Sequence, residues 1–279
     1  MGATEVVFIT GATGFIGSHV VDYTLQAGYR VRLSIQRKEQ EQSIRRWLRG
    51  PDKNVEFVHI PDLAAPSAFR DVLNGVDYVD IFHLASPLPG KGNDVKKDYV
   101  EPAVTGTTAI LEQAKQHERI NGERLKVDIT RKFPDGFAGH GMKYGASKIL
   151  AQQATRDFVA REKPHFKLIT LIQRTFKDLD GMNAQLWQSL QSEEPLVPSA
   201  FVHVRDVAQA HVAALRNQDQ LQTRTEYTLS AQPFGWDRVT RVVKVEPADQ
   251  DLQIKWCSGE DMVRDVLNQQ LALKQKASL

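Results

Sequence analysis

The stretch VFITGATGFIGSHVV, Val7 to Val21, limits what this chain can fold into more than any other. A short β-branched run ends at three glycines, Gly11, Gly14 and Gly17, and apolar residues then recur at helical spacing from Ile16 to Ala27. Glycines at a strand-to-helix turn permit a tight reversal, let a pyrophosphate approach the backbone, and allow the helix to pack closely on the sheet. The helix start then offers its N–H groups and partial positive charge to those phosphates. The stretch predicts a dinucleotide-binding loop, with Thr13, Phe15 and Ile16 as further candidate cofactor contacts beside the glycines.

The first half of the chain keeps alternating strand and helix signals. Strands are predicted at Arg30 to Ile35, at VEFVHI (Val55 to Ile60) and at YVDIFHLA (Tyr78 to Ala85). Helices are predicted around Glu39 to Trp47, near Ser67 to Leu73, and from Val95 to Gln116. This order implies an α/β fold, a doubly wound parallel sheet of Rossmann type. From about Lys177 the alternation weakens and Pro195, Pro198, Pro233 and Pro247 interrupt it, which predicts a smaller, irregular C-terminal substrate lobe. The expected division is a dinucleotide-binding domain over 1–176 and a substrate lobe over 177–279, with segments exchanged between them.

Composition narrows the partners. The 279 residues carry 36 Lys and Arg against 34 Asp and Glu, with no long run of one sign, so neither a nucleic acid nor a membrane surface is expected as a partner. No apolar run is long enough to span a bilayer, and the N-terminus lacks the pattern of a signal peptide, so a cytoplasmic location is expected. The single cysteine, Cys257, excludes an intramolecular disulfide and reads as a small, partly buried side chain rather than a nucleophile. No metal site is expected.

The end of the second strand selects the dinucleotide. A carboxylate there binds a ribose 2′-hydroxyl, whereas a basic residue accommodates a 2′-phosphate. The chain offers SIQRKEQ, with Arg37 and Lys38 and no acid before Glu39, which favours NADPH over NADH. A plain solvated pair is the competing reading. The chemistry is expected at KYGASKILAQQA, where Tyr144 and Lys148 stand four apart and share one helix face. A phenol with a pKa of about 10 is a weak proton donor near neutrality, and a fixed cation beside it brings it toward the working range.

The spacing in TGATGFIG, together with IFHLASP, YGASKILAQQA and FVHVRDVAQAH, resembles the extended short-chain dehydrogenase/reductase superfamily. Within it the chain looks like the dihydroflavonol reductase, cinnamoyl-CoA reductase and fungal aldehyde/ketone reductase branch. The resemblance implies NADPH-dependent reduction of an aldehyde or ketone of a small metabolite, by a monomer or homodimer. It assigns proton transfer to Tyr144, and ribose binding and tyrosine activation to Lys148. It places Asp62 and Leu63 by the adenine, and the backbone of His83, Ala85 and Ser86 along the cofactor. Relatives carry an arginine where Gln36 stands, so Arg37 would serve from one position later. Taken alone, Asp62 fits a turn residue, His83 a hydrogen-bonded core histidine, Asp206 a helix cap or interface residue, and Trp187 in MNAQLWQSL (Met182 to Leu190) a core residue.

The chain also departs from that branch. The fifth strand, with the serine that binds the substrate carbonyl, has no clear counterpart before Tyr144. Either Leu125 to Thr130 is that strand and Thr130 supplies the hydroxyl, or LKVDITRKFPDGFAGHG is the loop preceding the tyrosine helix and the strand is lost; the second reading fits better, and Thr130 stays a candidate catalytic residue. A His-Pro loop is missing after FKLITL, and the stretch between WDRVTRVV and LQIKWCSGEDMVRDVL is short. These gaps keep two other functions open: an NAD(P)-dependent epimerase or dehydratase, and a dinucleotide-binding paralogue without turnover.

Overall fold

The computed structural model describes residues 5–48, 52–65, 67–70, 72, 78–85, 94–115, 136–164, 166, 168–173, 202–217, 226–229, 256–257, 261, 264–265 and 268. The chain divides into two compact units: Met1–Ile169 with Leu221–Thr225, and Thr170–Gln220 with Glu226–Leu279.

In the first unit, β1 (Glu5–Thr10), β2 (Arg30–Ile35), β3 (Val55–His59) and β4 (Tyr78–His83) form a wholly parallel sheet in the order β3-β2-β1-β4. Val6, Val7, Phe8 and Ile9 of β1 are each at most 2% exposed, so this strand is covered on both faces, as an unbroken apolar run requires. β2 and β3 extend the sheet on one side of β1 and β4 on the other, so the chain reverses its direction of growth between β1 and β4. Ligands bind such sheets beyond the carboxyl ends of the strands at that reversal.

Helices cover the sheet as the periodicity demands. α1 (Phe15–Gln26) buries Gly17, Val20, Val21, Thr24 and Leu25, one face at three-to-four spacing. α2 (Glu39–Trp47) buries only Ile44. A core cluster joins Phe8, Ile60, Phe69, Val72 and Ile110, and the Phe69 ring meets Phe8 edge to face at 6.2 Å. α3 (Glu101–Lys115) and α4 (Gly136–Glu162) pack together through Leu111, Phe158 and Val159, with Lys115 paired to Glu162 at 2.5 Å.

The helix foreseen from Val95 to Gln116 is present over the described residues, as a π-helical turn, Lys96–Val100, that runs directly into α3. Two local expectations are corrected. Near Ser67 the described residues form turns, with Ala68 N–H donating to Ala65 O and Arg70 N–H to Ser67 O, rather than a helix. α4 begins at Gly136, so the last part of the stretch read as a preceding loop is helical, and Tyr144 lies inside the helix rather than at its opening. Glycines at 136, 139 and 141 lower local helix propensity, and packing of α4 on α3 and on the Lys96–Val100 turn overrides it.

In the second unit, β5 (Thr170–Gln173) and β6 (Glu226–Leu229) pair in parallel, and α5 (Val204–Arg216) presents eight buried residues. Leu125 to Thr130, Ser86, and Met182 to Leu190 with Trp187 lie outside the described residues.

Candidate active site

The glycine loop is shaped by backbone contacts. Gly11 has φ +74°, and a Cβ there would lie 2.7 Å from the Ala85 nitrogen. A Cβ on Gly17 would lie 2.0 Å from the Gly11 carbonyl oxygen, so only glycine lets α1 meet the loop this closely. Gly14 N–H donates to Gly11 O at 2.9 Å, closing the turn. Gly14 then caps α1 without a side chain, and no acid sits in the first turn of the helix. A cradle that a methyl group would fill, facing a helix start with no side-chain cap, fits the pyrophosphate of a dinucleotide. Thr13, Gly14 and Phe15 are exposed along this loop, and Ile16 is half-buried.

β4 joins the loop through one buried side chain. The Thr10 hydroxyl accepts from Ala85 N–H at 3.1 Å and shares a 2.9 Å hydrogen bond with His83 Nδ1. Thr10 and His83 are also register partners of β1 and β4. Desolvation, reinforced by the charge of Lys148, pulls the His83 pKa down to about 4, so its ring is neutral at pH 7. His83 is thus the hydrogen-bonded histidine expected from the sequence. Thr10 was not foreseen; a threonine ending a strand just before a glycine loop is the signal that marks it.

α4 brings the second half of the site. The Lys148 ammonium lies over the Tyr144 ring, 5.4 Å from its centroid, as the four-residue spacing predicts. Lys148 keeps contact with solvent, yet the protein around its ammonium strips enough hydration to pull the pKa down to about 8. Its charge acts on His83, so the Tyr144 face of α4 and the end of β4 belong to one electrostatic site. Ser147, one turn from Tyr144 on the buried side, donates its hydroxyl to Tyr144 O at 2.7 Å. Thr130 lies outside the described residues and adds nothing to this geometry.

At the ends of β2 and β3, Gln36, Arg37 and Lys38 are exposed. Gln36 turns its side chain across to donate to Pro61 O at 3.1 Å, and its carbonyl accepts from His59 Nε2–H at 3.0 Å. Gln40 Oε1 accepts from the N–H groups of both Gln36 and Arg37, at 2.8 and 2.9 Å. Asp62 is exposed and accepts from Ala64 N–H, the turn role its residue type suggests. Leu63 packs against the Phe8 cluster.

In the second unit, His203 caps α5: its Nδ1 accepts from Arg205 N–H, leaving Nε2–H to donate to Asp265 at 3.0 Å. Asp206 is fully buried and accepts from Cys257 N–H through both oxygens, tying α5 to the chain at Cys257 within the second unit. Burial, then the hydrogen bond and charge of Asp206, push the Cys257 thiol up to about 12, so it is no nucleophile near neutrality. Among the described residues no helix is long and apolar enough to cross a membrane, and no cluster of His, Cys, Asp and Glu is placed to hold a metal ion.

Known proteins resemble this chain in sequence and in fold. Residues 8–128 match the family model for GDP-mannose 4,6 dehydratase. Ketoreductase sphI of Aspergillus fumigatus is 31% identical over 337 aligned positions, which take in 96% of this chain and 98% of the relative. Ketoreductase azaE of Aspergillus niger is 28% identical over 247 positions, 75% of this chain and 73% of the relative. The crystal structure of the yeast methylglyoxal/isovaleraldehyde reductase Gre2, complexed with NADPH, superposes with a TM-score of 0.74 at 19% identity, covering 97% of this chain and 99% of that one. The shortening read from the sequence recurs in the sphI alignment: the chain has 279 residues, so at least 58 of the 337 positions, 337 less 279, have no residue here. The glycine loop, the parallel sheet order and the sphI match together make the chain a member of the extended short-chain dehydrogenase/reductase family, the epimerase/dehydratase superfamily, among its reductases.

Proposed function

We propose that this chain is an NADPH-dependent carbonyl reductase in which Tyr144 gives the proton and Lys148 supports it. The observation that carries the reading is the Lys148 ammonium over the Tyr144 ring, electrostatically coupled to His83 at the β4 end of the glycine loop. Gly11, Gly14 and Gly17 with the start of α1 would hold the pyrophosphate, Ala85 and Ser86 would line the cofactor with backbone, and Arg37 would meet the 2′-phosphate. The ketoreductase names of sphI and azaE and the NADPH in the Gre2 structure support the same reading.

Bound NADPH supplies the hydride that reduces the carbonyl carbon. The chain supplies the proton: Tyr144 donates from its hydroxyl to the carbonyl oxygen, giving the alcohol, and the phenolate then regains a proton from solvent. The Lys148 ammonium, 5.4 Å from the Tyr144 ring centroid, lowers the energy of that phenolate by Coulombic attraction. With a pKa of about 8 in the free enzyme, Lys148 is mostly charged at pH 7. The neutral His83 ring adds no competing positive charge. The substrate class is a small-molecule aldehyde or ketone, and a location in the cytoplasm fits that role.

The test is NADPH oxidation by the purified protein over a panel of aldehydes and ketones, with Tyr144→Phe as the comparison. Substrate-dependent oxidation that falls by about 10²–10⁴-fold in the variant, with NADPH affinity unchanged, is expected for loss of a positioned proton donor. Equal turnover in both proteins would remove Tyr144 from the reaction. Cofactor binding without oxidation of any substrate would favour a binding protein without turnover.

A further inference from the structure

The turn between β2 and α2 holds more hydrogen bonds than an exposed loop needs. Gln36 is engaged at three points: its N–H donates to Gln40 Oε1, its carbonyl accepts from His59, and its side-chain amide donates to Pro61 O. Arg37 is held at both backbone ends by the same neighbour. Its N–H donates to Gln40 Oε1 at 2.9 Å, and its carbonyl accepts from Gln40 N–H at 3.1 Å. The glutamine thus fixes the point from which the Arg37 side chain swings, while that side chain stays exposed.

The surroundings leave anion recognition to the exposed side chains of Arg37 and its neighbour Lys38, and of the two only the guanidinium can bind a phosphate through a planar fork. Glu39 and Glu41 occupy the first turn of α2 and oppose an anion there, although Arg45 pairs with Glu41 at 2.9 Å. The N–H groups of residues 36 and 37 are already taken by Gln40. The Gln36 amide is turned away to Pro61. A guanidinium can grip a phosphate with two parallel N–H groups, and a fixed pivot lowers the entropy lost in doing so.

We infer that Gln40 is the positioning residue for cofactor choice, setting Arg37 to read the 2′-phosphate that separates NADPH from NADH. This rests on the reductase reading proposed above only in taking NADPH as the cofactor. Nothing in a lone basic pair marks Gln40; the role follows from its one oxygen serving two consecutive N–H groups.

The experiment measures dissociation constants of NADPH and NADH by fluorescence, with no substrate present, for wild type, Arg37→Met, Gln40→Met, Gln40→Glu and the double variant Arg37→Met/Gln40→Met. Methionine keeps the length of glutamine but accepts no such hydrogen bond. Gln40→Met is expected to weaken NADPH about tenfold while NADH changes less than about twofold. In the Arg37→Met background the same change should cost almost nothing, because Gln40 acts through Arg37. Gln40→Glu retains the acceptor but adds a negative charge beside the 2′-phosphate, so it should weaken NADPH while NADH changes little. An equal loss for both cofactors, a loss that persists without Arg37, or tighter NADPH binding in Gln40→Met would each overturn the inference. A wild type that binds the two cofactors equally would overturn both this inference and the NADPH assignment; a wild-type preference untouched by Gln40→Met would overturn this inference alone.

Discussion

From Thr10 to Gly17 the contacts that shape the site are made largely by backbone, whereas on α4 the groups that matter are the tips of two side chains. The loop is specified by what is absent: a Cβ on Gly17 would fall 2.0 Å from Gly11 O, and one on Gly11 would meet Ala85. The Tyr144 face is specified by what is present, a phenol and an ammonium one turn apart. A backbone cradle tolerates no added atom and is indifferent to most side-chain chemistry. A side-chain pair tolerates neighbouring change but loses its function when one atom is removed. That contrast predicts different failures in the two regions.

The largest effect should come from Gly17→Ala. The new methyl group collides with backbone that has nowhere to move, so the loss of stability should reach about 3 kcal/mol, the upper part of the overpacking range. NADPH binding should disappear with it. Thermal unfolding and cofactor titration check this, and a variant that folds and binds normally would break the contrast at its loop end.

Removing charge on α4 should leave the fold intact. Lys148→Met is expected to unfold within a few degrees of wild type while kcat falls by about 10²-fold, within the range for a group supporting proton transfer. The pH profile sharpens the point. Lys148 in the free enzyme titrates at about 8, below its ordinary 10.5, so kcat/KM should decline as pH rises through that value and the ammonium is lost. Lys148→Arg should move this decline upward by more than one pH unit, because the guanidinium keeps its proton. A profile flat to pH 10 in wild type would contradict the assignment.

A smaller effect tests how the end of β4 is joined to the loop. Thr10→Val removes the hydroxyl that accepts from Ala85 N–H and bonds His83, which should cost about 1–3 kcal/mol of stability through the donor left unpaired. Thr10→Ser should restore most of it.

The smallest is a pH dependence of stability. His83 and His211 both titrate at about 4 in the folded chain, below the ordinary 6.5, each chiefly through burial. As pH falls, the unfolded chain takes up these protons first, so stability is complete above about 6.5 and is lost progressively down to about 4. His211→Asn should remove part of that slope, since His211 sits within α5 with Nδ1–H donating to Val207 O. An unchanged slope in calorimetric scans would contradict the burial of that ring.

The same contrast governs which parts of the molecule are legible in its amino-acid sequence. The glycine loop and the places of the strands along the chain are legible because sterics and burial leave a local imprint: three glycines at fixed spacing, and a strand apolar from Val6 to Ile9. Tyr144 and Lys148 are legible because four residues make one helical turn. The start of α4 at Gly136 is not, since tertiary packing overrides weak helix formers. Gln40 is not, because its partners are backbone groups and glutamine on a helix carries no signal of its own. Thr10 and His83, 73 residues apart, meet only through the parallel register of β1 and β4. Thr130 and Ser86 stand as sequence expectations.

The most direct test of the central claim follows the hydride rather than the rate. NADPH carrying deuterium at the transferable position of its nicotinamide is incubated with wild type and with Tyr144→Phe, together with the best aldehyde or ketone of the panel, and the alcohol is analysed by mass spectrometry. The account predicts one deuterium on the new alcohol carbon for each NADPH consumed by wild type, and almost none with Tyr144→Phe although that variant still binds NADPH. Bound NADPH with no deuterium in any product, or transfer that continues undiminished without the Tyr144 hydroxyl, would contradict it.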